Sequence, residues 1–340
     1  MIKFLEYPSI EQFRSVIKDF SQAEFIGLDE DGNKVYDRTK PKPIVTFRGT
    51  VKLHGTNSCV AYHNGEIAIQ SRTQNITPEK DNAGFASFVM QHKEAFLNIF
   101  DQILTNHPTE KTIYMYAEWC GGNIQKGVAI ANLPKSFFIF DICISDTNEE
   151  EITREWIDIT PYRDIDNGIY NIFDYPNWTM DIDFNNPALK QNDLIDITIG
   201  IEDECPVGKA FGFSGTGEGA VWSAIHNGKR YIFKVKGEKH SVSKVKTLAS
   251  VDVEKLNGIN EFIDYAVTEN RLDQAIDTVC KNSLDIQKMG DIIRWVMADV
   301  IKEETDTLES NGLTTKDVTS KIAEKVRKMV SLRLDKQSGL

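Results

Sequence analysis

Apolar residues that alternate between Ile44 and Ile69 constrain the fold more than any other feature of the sequence. They recur with a period of two, which is typical of strands with one buried face, at Val45, Phe47, Val51 and Leu53 and then in the runs 59–62 and 67–69. The tripeptide His63-Asn64-Gly65 separates the last two runs and predicts a tight hairpin, because asparagine and glycine tolerate the positive φ angles of such a turn. We therefore expect antiparallel strands from Ile44 onward.

The flanking regions predict a mixed α+β domain followed by a helical one. An apolar stripe predicts an amphipathic helix over 9–20, with Ser9 and Gln12 as its capping box. The charged, turn-rich stretch Asp29–Lys42 predicts a loop. The other expected elements are a helix over about Gly84–Leu104, a loop over Gly121–Gly127, and strands at Ile113–Glu118, Phe137–Ser145, Ala220–Ala224 and Tyr231–Lys236, with an Asn227-Gly228 hairpin between the last two.

From residue 259 to residue 335 the apolar periodicity is helical. Asn311-Gly312 ends one helix there, and Thr314 and Thr315 begin the next. We therefore predict a domain of antiparallel sheets flanked by helices over 1–245, and a small all-α domain over 250–340.

Composition excludes several classes of protein. The chain has 340 residues, 41% of them apolar and 26% charged, as in soluble globular proteins. No apolar stretch approaches the roughly 18 residues that a membrane span needs. Five scattered cysteines include no C-x-x-C pair, which predicts reduced thiols in a cytoplasmic setting and no zinc site.

Charge is unevenly distributed along the chain. The net charge is −12, but residues 146–204 alone carry sixteen acidic and three basic side chains. Residues 234–246 contain five lysines. Because binding to phosphates depends on local patches, the acidity does not exclude a nucleic-acid partner. A solvated surface is the other interpretation of the basic run, and the commoner one.

One lysine lies where a strand is expected to end, in the tetrapeptide Lys52-Leu53-His54-Gly55. Such a position suits a nucleophile, because an amine surrounded by positive charges loses its proton more easily. An exposed, inert lysine is the more frequent case, so the tetrapeptide alone leaves both interpretations open.

Five segments in order resemble motifs of the RNA ligase 2 family, which belongs to the covalent nucleotidyltransferases. They span roughly residues 45–240: Lys52–Asn57 is similar to the nucleophile motif, and the later ones are Tyr116–Gly121 with Ile124–Lys126, Phe137–Ile142, Glu218–Val221 and Phe233–Lys236. The resemblance implies an adenylyltransferase domain, ATP as the cofactor with AMP bound covalently to Lys52, and Mg²⁺ or Mn²⁺. It further implies RNA with 3′-OH and 5′-phosphate ends as the partner, at nicks in duplex or hybrid molecules.

The resemblance also implies roles for individual residues. Lys52, His54, Lys234 and Lys236 take part in catalysis, with His54 in the later steps and the two lysines also binding the nucleotide phosphates. Leu53, Asn57, Arg72, Glu118, Phe140 and Glu218 bind the nucleotide; among them Glu118 holds the ribose, Phe140 stacks on adenine and Glu218 also binds the metal. Read without the motifs, Phe140 is a core residue, the glutamates are surface carboxylates, Arg72 ends a hairpin and the lysine pair lies on a solvated edge strand.

We thus expect a monomeric, ATP-dependent RNA ligase in the cytoplasm, or in the host cytoplasm if a bacteriophage encodes it. A helical domain after the fifth motif favours it over DNA ligases and capping enzymes, in which an all-β barrel follows. Two alternatives stay open: a ligase for nicked DNA or hybrids, and a non-catalytic nucleic-acid binding protein that keeps only the fold.

Overall fold

The computed structural model describes residues 2–21, 24–28, 34–37, 41–146, 152–237, 252–280 and 284–337. The chain divides into two compact units. The first consists of Met1–Lys18, Ile44–Asp183 and Lys190–Ala249, and the second of Asp19–Pro43, Phe184–Leu189 and Ser250–Leu340. The functional division into domains 1–245 and 250–340 stays a prediction.

The described strands and helices combine antiparallel sheets with flanking helices, which confirms the α+β class. The strands are β1 (Glu11–Gln12), β2 (Glu24–Leu28), β3 (Lys34–Asp37), β4 (Ile44–Val51), β5 (Thr56–His63), β6 (Glu66–Ser71), β7 (Asn75–Ile76), β8 (Thr112–Cys120), β9 (Ser136–Ser145), β10 (Glu155–Ile157), β11 (Ile169–Asn171), β12 (Asn177–Asp183), β13 (Gly219–His226) and β14 (Lys229–Lys236). The α-helices are α1 (Phe13–Ser21), α2 (Phe85–Gln91), α3 (Lys93–Asn106), α4 (Gln191–Asp203), α5 (Pro206–Ala210), α6 (Val253–Ala266), α7 (Glu269–Cys280), α8 (Met289–Glu303), α9 (Thr305–Ser310) and α10 (Thr315–Gln337).

Two sheets form the first unit. The first sheet has the order β1-β14-β13-β4-β12, and the second has the order β10-β9-β8-β5-β6-β7, with β11 also beside β9. Neighbouring strands are antiparallel except for the pairs β1–β14 and β11–β9, which are parallel. On β4 the residues Val45, Phe47 and Val51 are buried, while Arg48 on the opposite face is exposed. The period of two predicted from the sequence therefore gives β4 one core face and one open face.

Both predicted hairpin turns are confirmed. Asn64 and Gly65 join β5 to β6 with φ angles of 48° and 82°, and Asn227 and Gly228 join β13 to β14 with φ angles of 50° and 74°. Consecutive positive φ angles define the turn whose twist matches that of the strands on either side.

Three predicted elements differ from the structure. The first helix begins at Phe13, because Glu11 and Gln12 pair with β14 as strand β1, so Ser9 is not its N-cap. The helix predicted over Gly84–Leu104 is two helices, separated at His92, whose backbone angles (φ −109°, ψ 25°) leave the helical region. The predicted loop Asp29–Lys42 contains strand β3, which pairs with β2; residues 29–33 and 38–40 lie outside the described residues.

The acidic stretch 146–204 belongs to the first unit except for 184–189, which belong to the second, and 147–151, which lie outside the described residues. Its strands β10 and β11 extend the second sheet, and β12 pairs with β4 along seven residues of the first. Helix α4 packs on β13 and β14. The buried residues of these elements include Ile169, Ile182 and Leu194, so the stretch is part of the core despite its charge.

Helices α6 to α10 dominate the second unit and bury one apolar cluster. Its fully buried members include Ala266, Ala275, Ile292, Val296, Val300, Val318, Ile322 and Val326. No helix among the described residues has both the length and the apolar character needed to cross a bilayer.

Basic side chains on α10 form ion pairs within the second unit. Lys325 contacts Asp264 at 2.9 Å, Arg333 contacts both Glu269 and Asp273, and Lys321 contacts Glu324 at 3.1 Å. These contacts favour a structural role for the three residues within the second unit. Residues 238–246 of the lysine-rich run lie outside the described residues.

Ile322→Ala is expected to destabilise the helical unit. The Ile322 side chain is fully buried, and removing it loses apolar contacts and leaves a cavity, which costs about 2–5 kcal/mol of unfolding free energy. Arg327→Ala, at an exposed position of the same helix, should stay within about 0.5 kcal/mol. Urea denaturation followed by circular dichroism measures both; equal losses would contradict the buried position of Ile322.

Candidate active site

A pocket of about 350 Å³ lies between the two sheets of the first unit. Strands β4, β13 and β14 supply one wall, and β5, β8 and β9 supply the other. One part of the lining is cationic and another is apolar. The cationic residues are Lys52, Arg72, Lys234 and Lys236, and the apolar ones include Phe138, Phe140, Val221 and Ile232.

Lys52 enters the pocket directly after the last residue of β4. Its backbone N–H donates to the carbonyl oxygen of Gly219 at 2.8 Å, which ties the end of β4 to the start of β13. Gly219 has a φ of 140°, and a Cβ atom there would lie 2.2 Å from the carbonyl oxygen of Val235. Glycine is therefore required at this position for the two strands to meet beside Lys52.

A buried carboxylate, Glu218, binds three polar side chains at the cationic end. Its Oε2 lies 2.7 Å from Lys52 Nζ and 3.1 Å from His54 Nδ1, and its Oε1 lies 2.6 Å from Lys236 Nζ. Burial alone raises the pKa of Glu218. The Lys52 charge and the hydrogen bonds from both lysines outweigh that effect, so its pKa lies below the ordinary value and the group is ionised at neutral pH.

A second carboxylate, Glu118, lies on the opposite wall. Its Oε1 accepts a hydrogen bond from the backbone N–H of Gly55 at 2.8 Å, and Asn57 lies opposite it on β5. A Cβ atom at Gly55 would lie 2.4 Å from the carbonyl oxygen of Trp119, so glycine permits this close approach of strands. Burial raises the pKa of Glu118 to about 7, although the Lys52 charge and the Gly55 hydrogen bond oppose the rise.

Positive charges crowd the same end of the pocket. Burial lowers the pKa of Lys234, and the neighbouring charges of Lys236, Lys52 and Arg72 lower it further. Lys234 and Lys236 are two residues apart on β14, so both side chains lie on the face that lines the pocket. An anion with several oxygens would relieve the repulsion among these cations.

Phe140 owes its direction to an irregularity in β9. Tyr116 pairs with Asp141 and Ala117 pairs with Ile139, so Phe140 is an extra residue opposite β8. Such a bulge re-aims side chains, and here the consecutive residues Phe140 and Asp141 both line the pocket.

A buried polar cluster also lines the pocket and consists of Tyr7, Asp141 and Arg230. Asp141 Oδ2 lies 2.5 Å from Arg230 Nη2 and accepts a hydrogen bond from the Tyr7 hydroxyl at 2.5 Å. The Arg230 guanidinium also lies 4.2 Å from the centre of the Trp156 ring. Sequence analysis missed these residues; the one available signal was an aspartate within the otherwise apolar strand Phe137–Ser145.

The model of the family described as RNA ligase matches residues 45–236. The chain belongs to the RNA ligase family. That membership confirms the resemblance read from the motifs, and the match covers the strands that build the pocket. No curated protein matches the chain.

The chain is similar to solved structures of a Naegleria gruberi RNA ligase. The enzyme with PPi has 17% identity and a TM-score of 0.43, over 71% of this chain and 58% of that chain. A lysine-to-alanine mutant of that enzyme with ATP and Mn has 18% identity and a TM-score of 0.44, over 72% of this chain and 59% of that chain. This chain therefore spans less than two thirds of the length of these structures.

The structure brings the ten residues predicted for the site of this family member together. Eight of them line the pocket: Lys52, Leu53, Asn57, Arg72, Glu118, Phe140, Lys234 and Lys236. Glu218 and His54 join them through the contacts with Lys52 and with each other. The role of each residue stays a prediction.

Glu218 could serve as a protein ligand for the predicted metal ion, although it is a single carboxylate. The described residues contain no group of three His, Cys, Asp or Glu side chains able to hold a metal ion. Mg²⁺ is often bound by one or two carboxylates together with substrate phosphates and water, rather than by an all-protein cage. A single ionised carboxylate beside cations suited to phosphates matches that pattern.

Glu118→Gln is expected to change the pH dependence of stability. The pKa of Glu118 is raised to about 7 in the folded chain, so the unfolded chain releases this proton at lower pH and the carboxyl costs stability as pH rises from about 4.5 to about 7. Glutamine keeps the acceptor for Gly55 without that cost. Urea denaturation should show the variant gaining on the wild type between pH 5 and pH 8; a constant difference would contradict the raised pKa.

Proposed function

We propose that the chain is an ATP-dependent RNA ligase that seals 3′-OH/5′-phosphate breaks through AMP bound covalently to Lys52. The observation that carries the proposal is the position of Lys52 Nζ, 2.7 Å from a buried carboxylate in a pocket with four further cationic residues, in a chain of the RNA ligase family.

In the first step Lys52 Nζ attacks the α-phosphorus of ATP. A nitrogen–phosphorus bond forms, the bond to the oxygen that bridges to the β-phosphate breaks, and pyrophosphate leaves. Nζ has to leave Glu218 and lose a proton before it can attack. Glu218 then keeps its ion pair with Lys236, so the buried carboxylate is not left without a partner.

Lys234, Lys236 and Arg72 stabilise the leaving pyrophosphate. Their charges already lie at the same end of the pocket, so they need little rearrangement as negative charge develops on the phosphate oxygens. Burial lowers the pKa of Lys234, the charges of Lys236, Lys52 and Arg72 lower it further, and a polyphosphate would relieve the repulsion among these cations.

The remaining lining suits the nucleoside. Phe140 on one wall and the aliphatic side chains of Val221 and Ile232 on the other enclose a flat base, and Phe140 stacks on it. Glu118 and Asn57 lie side by side on neighbouring strands, and Glu118 accepts a hydrogen bond from a ribose hydroxyl. Leu53 is buried at the pocket wall and excludes water next to Lys52.

Two transfers to RNA follow. An oxygen of the RNA 5′-phosphate attacks the AMP phosphorus and the bond to Lys52 Nζ breaks; the RNA 3′-oxygen then attacks the 5′-phosphorus, and AMP leaves. His54, 3.1 Å from Glu218, acts in these later steps next to the regenerated lysine. Glu218 would hold Mg²⁺ or Mn²⁺, which supplies charge neutralisation on the phosphates.

A nick in duplex or hybrid RNA is the substrate that we favour, and repair of broken RNA is the role. Monomeric state, cytoplasmic location and bacteriophage origin stay predictions. The non-catalytic alternative is disfavoured because Lys52, Glu118, Glu218, Lys234 and Lys236 are all present and grouped at one pocket.

Wild-type protein, first stripped of bound AMP with pyrophosphate, should retain label from α-labelled ATP and magnesium after denaturing electrophoresis. Lys52→Ala should retain none, because it lacks the attacking amine, and Lys3→Ala, outside the pocket lining, serves as the control. If the wild-type protein retains no label from ATP, GTP or NAD⁺, the ligase proposal is wrong. The alternative of a non-catalytic nucleic-acid binding protein would then stand.

Matched nicks in RNA duplex, DNA duplex and both hybrids test the substrate. We expect sealing to be fastest where the 3′-OH strand is RNA, with sealed product measured by gel electrophoresis at equal protein and duplex concentrations. Fastest sealing of the all-DNA nick would replace the RNA substrate by DNA without affecting the labelling result.

A further inference from the structure

We infer that Tyr7, Asp141 and Arg230 form a positioning cluster that fixes Phe140 and thereby the width of the base-binding part of the pocket. The inference rests on the proposed function, since the base in question is that of ATP. The three side chains line the pocket, yet the steps above require no chemistry from them.

The cluster joins the two sheets across the pocket. Arg230 belongs to β14 in the first sheet and Asp141 to β9 in the second, and their side chains are only 11% and 15% exposed. The Tyr7 hydroxyl donates to Asp141 Oδ2 and accepts from Arg230 Nη1 at 3.2 Å. One carboxylate oxygen thus receives two short hydrogen bonds, and these come from two different segments of the chain.

The cluster also contacts Phe140. Asp141 follows Phe140 in the bulge of β9, so fixing the carboxylate fixes the backbone that aims the phenyl ring. The Tyr7 ring meets the Phe140 ring edge-on, with centroids 5.1 Å apart and an interplanar angle of 76°. Val221 and Ile232 on the facing wall belong to the same sheet as Arg230. The Arg230–Asp141 pair therefore sets the separation between the two walls that a base would enter.

Stability alone does not explain such a cluster. Burial raises the pKa of Asp141, and the Arg230 charge only partly offsets that rise. Buried ion pairs commonly add little stability over apolar side chains of similar size, but they restrict geometry. Arg163 and Asp174 form a second, more exposed ion pair with two bonds of 2.6 Å, and since neither residue lines the pocket they provide a control.

The test measures ligand binding without chemistry, in protein that carries Lys52→Ala throughout. Calorimetry compares ATP with tripolyphosphate, which occupies the phosphate end and has no base. The test variants are Arg230→Lys and Tyr7→Phe, and the control variants are Arg163→Lys and Tyr162→Phe. The Tyr162 hydroxyl accepts a hydrogen bond from Asn106, and neither residue lines the pocket. Melting temperatures identify any variant that fails to fold.

We expect ATP affinity to fall about tenfold in Arg230→Lys, equivalent to about 1.4 kcal/mol, and to fall measurably in Tyr7→Phe. Tripolyphosphate affinity should stay unchanged in both variants, and the control variants should bind both ligands like the parent. Equal weakening of ATP and tripolyphosphate, or unchanged ATP affinity, overturns the cluster inference. Failure of the ligase proposal is separate, because it shows as absence of covalent label on the wild-type protein.

Discussion

The candidate site depends on a carboxylate that has almost no access to water. Glu218 is 2% exposed and binds Lys52, Lys236 and His54 at once. Without an anion at this point, the cations of β14 and the end of β4 would repel one another at close range in a poorly solvated place. Glu218 therefore allows a cationic pocket to exist before any phosphate enters it.

The backbone brings that carboxylate to the lysine by close approach of strands. Glu218 directly precedes Gly219, whose missing Cβ lets β13 lie against Val235, and the Gly219 carbonyl receives the Lys52 N–H. Gly55 plays the same part on the other wall, where its N–H holds Glu118. Each glycine thus serves a carboxylate: Glu118 lines the pocket from the second sheet, and Glu218, next to β13 of the first sheet, contacts the lining residue Lys52. The chemistry of the site and the packing of the strands are set by the same few residues.

Local signals in the sequence predicted the regular parts of this arrangement. Asn64-Gly65 and Asn227-Gly228 define their turns by backbone preference alone, and the motif residues converge because strands bring them together in a family fold. The predicted start of α1 was wrong because Glu11 and Gln12 pair with β14 instead. This is a long-range contact, which local capping preferences cannot predict. The bulge at Phe140 was also missed, because it depends on pairing with β8. Strict alternation along β9 would turn Asp141 to the opposite face from Phe140. Tyr7 carries no local signal, and only the folded chain places it beside Asp141.

The contact between Lys52 and Glu218 affects how a nucleotide would bind under the proposed function. Its Nζ donates a hydrogen bond to Glu218 Oε2 at 2.7 Å, so the amine that we propose as the nucleophile is paired with a carboxylate. Under the proposed function, phosphates that enter among Lys234, Lys236 and Arg72 would compete with Glu218 for Lys236. Lys236 can donate to phosphate oxygens with the N–H groups that Glu218 does not use, so Glu218 keeps this ion pair when Lys52 leaves it. Under the proposed function, the ion pair between Lys52 and Glu218 is therefore the contact that nucleotide binding has to rearrange, and this would couple occupancy of the pocket to release of the attacking amine.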